Sequence, residues 1–398
     1  MLEKIKKILK SNKIFRDLNS NVKGKLLDIL YQVKKIQFGD YWNEYKSIDF
    51  NRVAIKLLKD RLSDIKRNNY KSKLNIFFVG TYYDHEAQGL IQGLEKFGDV
   101  YTYINANGEY GINSPRKMKL SGIEHKKWCL HLYESIFQAN QIRPIDLVIG
   151  TFTAPNISLE TMFLIRDLRI PIINIAMDDM LPQHWRVKSG LETGAIGLAP
   201  AIDLTLNTTP EMIPRYLKKG FPAIYFPFAS DPNIYFPSLK KDIDVLFIGN
   251  CYGKREKLIS KCVNAGINVT AYGLDFPLGH ISGEFVPPLF SRAKIILGSG
   301  LVGHSSKLVT LKLRDFDAPM AGALYLTLHN PLLALHFKIN EEIVTYNNIN
   351  ECIKKIKYYL GNKKEMQRIA SNARARSIAE HTWHQRLQLL TNMLAGKV

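Results

Sequence analysis

The stretch Gly249-Asn250-Cys251-Tyr252-Gly253-Lys254-Arg255 places two glycines and two adjacent cations directly after the apolar run Val245-Leu246-Phe247-Ile248. Glycines let backbone amides approach an anion, and the start of a helix favours negative charge. Lys254 and Arg255 could therefore hold a diphosphate. The spacing is neither G-x-G-x-x-G nor the phosphate-loop pattern, so an ordinary turn with solvated cations competes with that reading. A second cluster, Arg314, Asp315 and Asp317, runs straight into Met320-Ala321-Gly322-Ala323. Asp317, near the first turn of a helix, could accept two hydrogen bonds from a ribose diol. Arg314 offers a fork-shaped donor for phosphate, and Gly322 allows close helix packing or close approach of a ligand. The competing reading is a charged helix start favoured by the macrodipole.

Acids in the first half of the chain supply the other candidates. Asp84, His85 and Glu86 follow the apolar run at 74–79, and Asp178 and Asp179 follow the run at 170–177. Asp, Glu and His are the usual general bases for a hydroxyl nucleophile. Against that, one of the paired aspartates could cap the next helix while the other is solvated, and His85 could be an ordinary loop histidine. A hard cation takes carboxylates, but no spacing here supports a metal, and none is expected. His381, Trp383 and Arg386 sit near helical spacing and read as an aromatic anchor for the last helix, packing it back across the domain junction.

The elements that must position these residues alternate in texture. Residues 1–70 read as a basic helical segment, with Leu26, Leu27, Ile29, Leu30 and Val33 near helical spacing and lysines between them. From Lys73 onward, short apolar runs alternate with helical stretches, which implies a parallel sheet covered on both faces. Residues 228–237 carry two prolines and no helical period, and the same alternation restarts after them. The expected architecture is α/β, with two Rossmann-like doubly wound domains facing a cleft behind an N-terminal helical extension. Its divisions are 1–70, an N-terminal domain at 71–228, a linker at 229–242, a second domain at 243–380, and a final helix at 381–398. Ligands of such sheets lie at the carboxyl ends of the strands, where the clusters above are placed.

Bulk properties narrow the function. With 398 residues, 46% hydrophobic and 23% charged, the chain is globular and long enough for two cores. The apolar runs are far shorter than the ~20 residues of a membrane span. The scattered N-terminal lysines are unlike a secretory signal, and four widely spaced cysteines suit a reduced, cytoplasmic setting. The net charge is +19, and residues 1–75 hold 19 Lys and Arg against 8 Asp and Glu, an excess of 11. That bias implies an acidic partner, such as an anionic membrane surface or a phosphorylated substrate, or else a merely solvated face. No nucleic-acid motif accompanies it, so nucleic acid is not expected.

The segments at 244–259, 289–300, 313–333, 341–346 and 369–386 together resemble the glycosyltransferases related to the spore-maturation protein CgeB, a branch of the GT-B group-1 enzymes. The resemblance implies a GT-B enzyme that transfers a sugar from a nucleotide-diphospho-sugar to a glycan, lipid-linked or protein acceptor. Bacterial surface polysaccharide or glycoconjugate synthesis, in the cytoplasm or on the inner face of the membrane, is the implied setting. No cofactor or metal is implied. Gly249, Asn250, Lys254 and Arg255 fall in the donor-diphosphate loop, and Asp317 stands where the family has a ribose-contacting Glu. Asp178 and Asp179 resemble an acidic pair seen in these relatives. Two departures stand out: Asp is shorter than Glu, and Val309 occupies the place of a second acid found in many group-1 members. A nucleotide-sugar epimerase and an inactive sugar-nucleotide-binding module are the alternatives.

Overall fold

The computed structural model describes residues 19–33, 49–63, 65, 73–81, 89–112, 122–188, 190–238 and 240–397. Asp84, His85 and Glu86 lie outside the described residues. The chain divides into two compact units, neither of them contiguous in sequence. The first contains residues 37–229 and 382–398, and the second contains residues 1–36 and 230–381.

In the first unit, β1 (Leu74–Val79), β2 (Gly98–Thr102), β3 (Leu147–Gly150) and β4 (Ile172–Ala176) precede an antiparallel ribbon of β5 (Val187–Lys188) and β6 (Leu191–Glu192). Strands β7 (Leu204–Asn207) and β8 (Ala223–Tyr225) follow. The six main strands form one sheet in the order β2-β1-β3-β4-β7-β8, with every neighbouring pair parallel. Strands β1, β3, β4 and β7 are buried along their whole length, which explains why their sequences read as unbroken apolar runs rather than as alternation. The helices Ile123–Ile142 and Leu159–Arg166 contribute Leu132, Ile136, Met162 and Ile165 to the core on the sheet. Ser158 caps the shorter of them by accepting from the Thr161 amide at 3.1 Å.

Helix Phe50–Leu62 is tied to this unit by Arg61, whose guanidinium donates to the carbonyls of Ala199, Pro200 and Ile202. The last helix, Trp383–Leu394, begins with a capping box between Thr382 and Gln385. Trp383 is buried against Phe226, and His384 stacks on Phe97 at 5.2 Å. The aromatic residues of this stretch thus pack as an anchor rather than facing a ligand.

The second unit repeats the pattern with β9 (Ile243–Ile248), β10 (Val269–Tyr272), β11 (Ala293–Leu297), β12 (Leu324–Leu328) and β13 (Val344–Tyr346). These five strands form an all-parallel sheet in the order β10-β9-β11-β12-β13. Its core combines Val245, Phe247, Ile295, Leu297, Leu324 and Leu326 with residues of the covering helices. Residues 19–33 are helical and belong to this unit. The two parallel sheets with interleaved helices are the doubly wound, Rossmann-like architecture that the alternation of textures predicts.

Candidate active site

In the second sheet the strand order reverses between β9 and β11, so the crevice for a ligand opens at the carboxyl ends of those two strands. Gly249 begins the loop after β9 with φ 153°, a conformation that L side chains rarely adopt. A Cβ built on it would lie 3.0 Å from Arg314 Nη2 and 3.3 Å from Arg255 Nη1. The glycine therefore lets two guanidiniums close onto the start of the loop. Arg314 donates through Nη2 to the Ile248 carbonyl, and Arg255 donates through Nη1 to the Asn250 carbonyl at 3.1 Å. Both lie near the Phe247 ring, at 5.2 Å and 5.9 Å, and Arg255 also stacks on Tyr252 at 4.1 Å.

Among the described residues neither guanidinium is paired with a carboxylate, and the Nε of each is buried without a hydrogen-bond partner. Burial is the main influence lowering the Arg255 pKa, and the Arg314 charge adds to it. Two cations so placed favour an anion between them. Asn250 holds the loop itself, since its side-chain oxygen accepts from the Leu274 amide at 3.3 Å.

Lys254 is on the wall of a cavity of about 660 Å³ in the same unit. Gly253 from the β9 loop, Ser299 and Leu301 after β11, Leu328 after β12, and Tyr346, Asn347 and Asn348 at the end of β13 also line it. The cavity thus gathers the carboxyl ends of four neighbouring strands. The Arg255–Arg314 pair is not on its wall; it stands at the root of the same loop.

Helix Arg314–Met320 answers the question raised by its three charged residues differently for each. Asp315 is a structural residue: it accepts from the Lys312 amide at 2.5 Å and from the Tyr325 hydroxyl. Asp317 is 7% exposed and lies against Ser230 and Tyr235, with Oδ1 buried and lacking a hydrogen-bond partner. Burial pushes its carboxyl up to about 8, against the pull of Ser230, Tyr235 and Arg314, so it is largely neutral at pH 7. Gly322 sits apart from both clusters. It takes φ 65° just past the helix, where a Cβ would press on Pro237 at 3.0 Å, and it serves as the helix terminator.

In the first unit, Asp178 and Asp179 follow β4. Asp178 is half-buried and adopts φ 52°. Asp179 is fully buried, and its Oδ2 accepts from Asn207 Nδ2 at 3.0 Å and from the Tyr216 hydroxyl at 2.8 Å. Its backbone carbonyl accepts from the Trp185 indole at 2.9 Å. Asp179 thus ties together three buried polar groups, whereas Asp178 is the more accessible of the two. Among the described residues no group of three or more His, Cys, Asp or Glu is placed to hold a metal, and no helix is long and apolar enough to cross a membrane.

Sequence reading missed His304, Ser299 and the Asn347-Asn348 pair. The Gly298-Ser299-Gly300 run after an apolar strand was a signal for the second of these. His304 had none.

Residues 254–392 match the family described as glycosyl transferase-like. Among solved structures, sucrose-phosphate synthase from Thermosynechococcus elongatus aligns with a TM-score of 0.57 at 12% identity, over 82% of this chain and 100% of that one. The fold is GT-B. Anabaena HepE, solved in complex with UDP and glucose, aligns with a TM-score of 0.52 at 14% identity, covering 86% of this chain and 95% of HepE. A glycosyltransferase from Rickettsia africae aligns with a TM-score of 0.50 at 10% identity, over 81% of this chain and 99% of that one. A search of curated proteins finds no match. The matched family region begins at Lys254 and so takes in the end of the β9 loop, Arg314, Asp317 and the cavity residues after β11, β12 and β13.

Proposed function

We propose that this chain transfers a sugar from a nucleotide-diphospho-sugar to a glycan, lipid-linked or protein acceptor, as a CgeB-like enzyme of bacterial surface polysaccharide or glycoconjugate synthesis. The observation that carries the reading is the pair of guanidiniums of Arg255 and Arg314 packed on Gly249, set at the strand-order reversal where such sheets bind ligands. Charge that builds on a leaving diphosphate is met there by preorganised cations with no carboxylate to displace. Asp317, mostly protonated and with Oδ1 lacking a hydrogen-bond partner, suits a ribose hydroxyl. Nothing in this scheme requires a metal. HepE was solved with UDP and glucose, which supports a uridine nucleotide as the first donor to try. Of the acids in the first unit, Asp178 is the better base for an acceptor hydroxyl, because it is half-buried whereas Asp179 is fully buried.

The test is calorimetry of the full chain against UDP-, GDP-, dTDP- and ADP-glucose, followed by turnover with and without added acceptor sugars. Binding of one donor with Kd below about 1 mM, a free energy of about −4 kcal/mol, is the expected result. Absence of binding to every member of the panel rejects the reading. Turnover of the bound donor to an isomer without acceptor would favour an epimerase, and binding without any turnover a sugar-nucleotide-binding module.

The location proposed is cytoplasmic and peripheral on an anionic membrane. Val22, Leu26, Ile29, Leu30 and Val33 recur at helical spacing on the 19–33 helix and are 39% to 59% exposed, with Lys23 and Lys25 among them. An apolar stripe flanked by lysines suits the interface of an anionic bilayer, where each cation contributes about 1 kcal/mol. The paired change Leu26→Glu and Ile29→Glu is expected to abolish flotation of the protein with phosphatidylserine vesicles. Equal flotation of that variant and the unaltered chain refutes the location.

A further inference from the structure

The 660 Å³ cavity has one wall that the strand ends do not supply. Ser20 and Asn21, from the 19–33 helix, line it together with Lys254, Ser299 and His304. We propose that this helix is part of the donor pocket, with Ser20 and Asn21 contacting the nucleotide sugar and Asp28 positioning them. The inference rests on the donor reading given above and extends it to a segment outside the matched family region.

Three attachments hold the wall in place. Ser20 Oγ shares a hydrogen bond of 2.8 Å with His304 Nδ1. Gly24 is buried on the His304 backbone, where any added Cβ would collide with the carbonyl oxygen, and Leu27 packs on Gly303. The third is polar: Asp28 accepts from the Ser305 hydroxyl, from the Ser306 hydroxyl at 2.8 Å and from the Ser306 amide at 3.3 Å. Partial burial works against the Asp28 carboxylate, yet the bonds from Ser305 and Ser306 hold its pKa below the ordinary value. It is a carboxylate gripping a turn.

That turn reaches the diphosphate loop. A Cβ on Gly253 would lie 2.6 Å from the Gly303 carbonyl, so the two loops touch backbone to backbone. The His304 ring meets Tyr252 edge-on at 6.3 Å, and Tyr252 carries the Arg255 guanidinium. Contact therefore runs from Asp28 through residues 303–306 to Gly253, Tyr252 and Arg255. A helix docked only for stability would not need to place polar side chains in the cavity at one end while bracing the phosphate loop from the other.

The experiment uses the full chain and, as probe, the tightest binder among UDP-, GDP-, dTDP- and ADP-glucose. Asp28→Ala is expected to raise the donor Kd about tenfold and Ser20→Ala about threefold, the loss of one to a few polar contacts. Asp28→Asn should recover only part of the affinity, because Ser305 and Ser306 donate to different carboxylate oxygens and the amide keeps one of the two acceptors. Leu26→Glu, on the opposite face, should leave the Kd unchanged. Melting temperatures measured in parallel separate loss of affinity from loss of fold, and Ser20→Ala, a small change on the surface of the cavity, keeps the test decisive if Asp28→Ala unfolds. If the unaltered chain binds no probe, the donor reading fails and this inference with it. If the chain binds a probe and Ser20→Ala, together with Asp28→Ala where that variant folds, binds it as tightly as the unaltered chain, the inference alone is overturned.

Discussion

Replacing Gly249 by valine is expected to cost about tenfold to a hundredfold in nucleotide-sugar affinity, the worth of one hydrogen bond to a charged group. Two independent penalties act at that position. The backbone φ of 153° excludes a β-branched side chain, and the new Cβ would press on Arg314 Nη2 and Arg255 Nη1. Neither guanidinium can swing away freely. Each is fixed by a carbonyl, Ile248 for Arg314 and Asn250 for Arg255, and each lies near the Phe247 ring. A diphosphate bound at the loop would meet both charges, while a valine would push the two guanidiniums off their places. Arg314→Met, which keeps the bulk and removes the charge, should show a comparable loss without the backbone strain. Calorimetry gives the readout, with thermal melting to confirm that the variants fold. Donor affinity within threefold of the unaltered chain in both variants would mean that the diphosphate is seated elsewhere.

The second large effect concerns Asp317. Its carboxyl is raised to about 8, principally by burial, with Asp315 adding repulsion while Ser230, Tyr235 and Arg314 oppose the shift. For an acid whose folded-state pKa lies above its unfolded value, the folded state holds the proton more tightly. Its contribution is therefore fully present below about pH 4, the ordinary range of an aspartate, and is lost as pH rises toward 8. A displacement of that size corresponds to a few kcal/mol. Asp317→Asn retains the shape and cannot ionise, so its stability should fall less between about pH 5 and pH 8 than that of the unaltered chain. Urea denaturation at the two pH values measures the difference. Parallel pH profiles would show that Asp317 is ionised in the fold and that its burial is compensated. The same variant also tests the ribose contact, since the amide keeps one acceptor at Oδ1 and should bind donor more tightly than Asp317→Ala.

The fold was largely legible in the sequence because central parallel strands are buried on both faces. Runs such as Ile172–Ala176 and Leu204–Asn207 are apolar from end to end or interrupted only by small polar residues, and they stand out against helical stretches. The β9 loop was legible for a local reason: glycine, then cations, directly after a strand. What the sequence could not carry are contacts between residues far apart in the chain. Asp317 lies against Ser230 and Tyr235, and Asp179 is held by Asn207 and Tyr216. No spacing rule connects them. Gly322 shows what composition leaves out: a small residue after a charged cluster can allow close packing or a ligand, but its φ of 65° at the end of a helix is visible only in the structure. The N-terminal residues read as a charged extension because lysines dominate their composition. Their role on the cavity depends on Gly24 and Asp28, two ordinary letters whose partners lie in the 303–306 turn.

Because the 382–398 stretch belongs with residues 37–229, the first unit cannot be finished in the order in which a ribosome writes it. Its six-stranded sheet can assemble once Tyr225 is out of the exit tunnel. The hollow around Gly93, Phe97 and Phe226, which Trp383, His384 and Leu387 fill, must then wait while about 150 further residues are made. During that interval the nascent chain carries an open apolar seat, a natural binding place for a chaperone. A chain cut after residue 229 would keep that seat permanently empty.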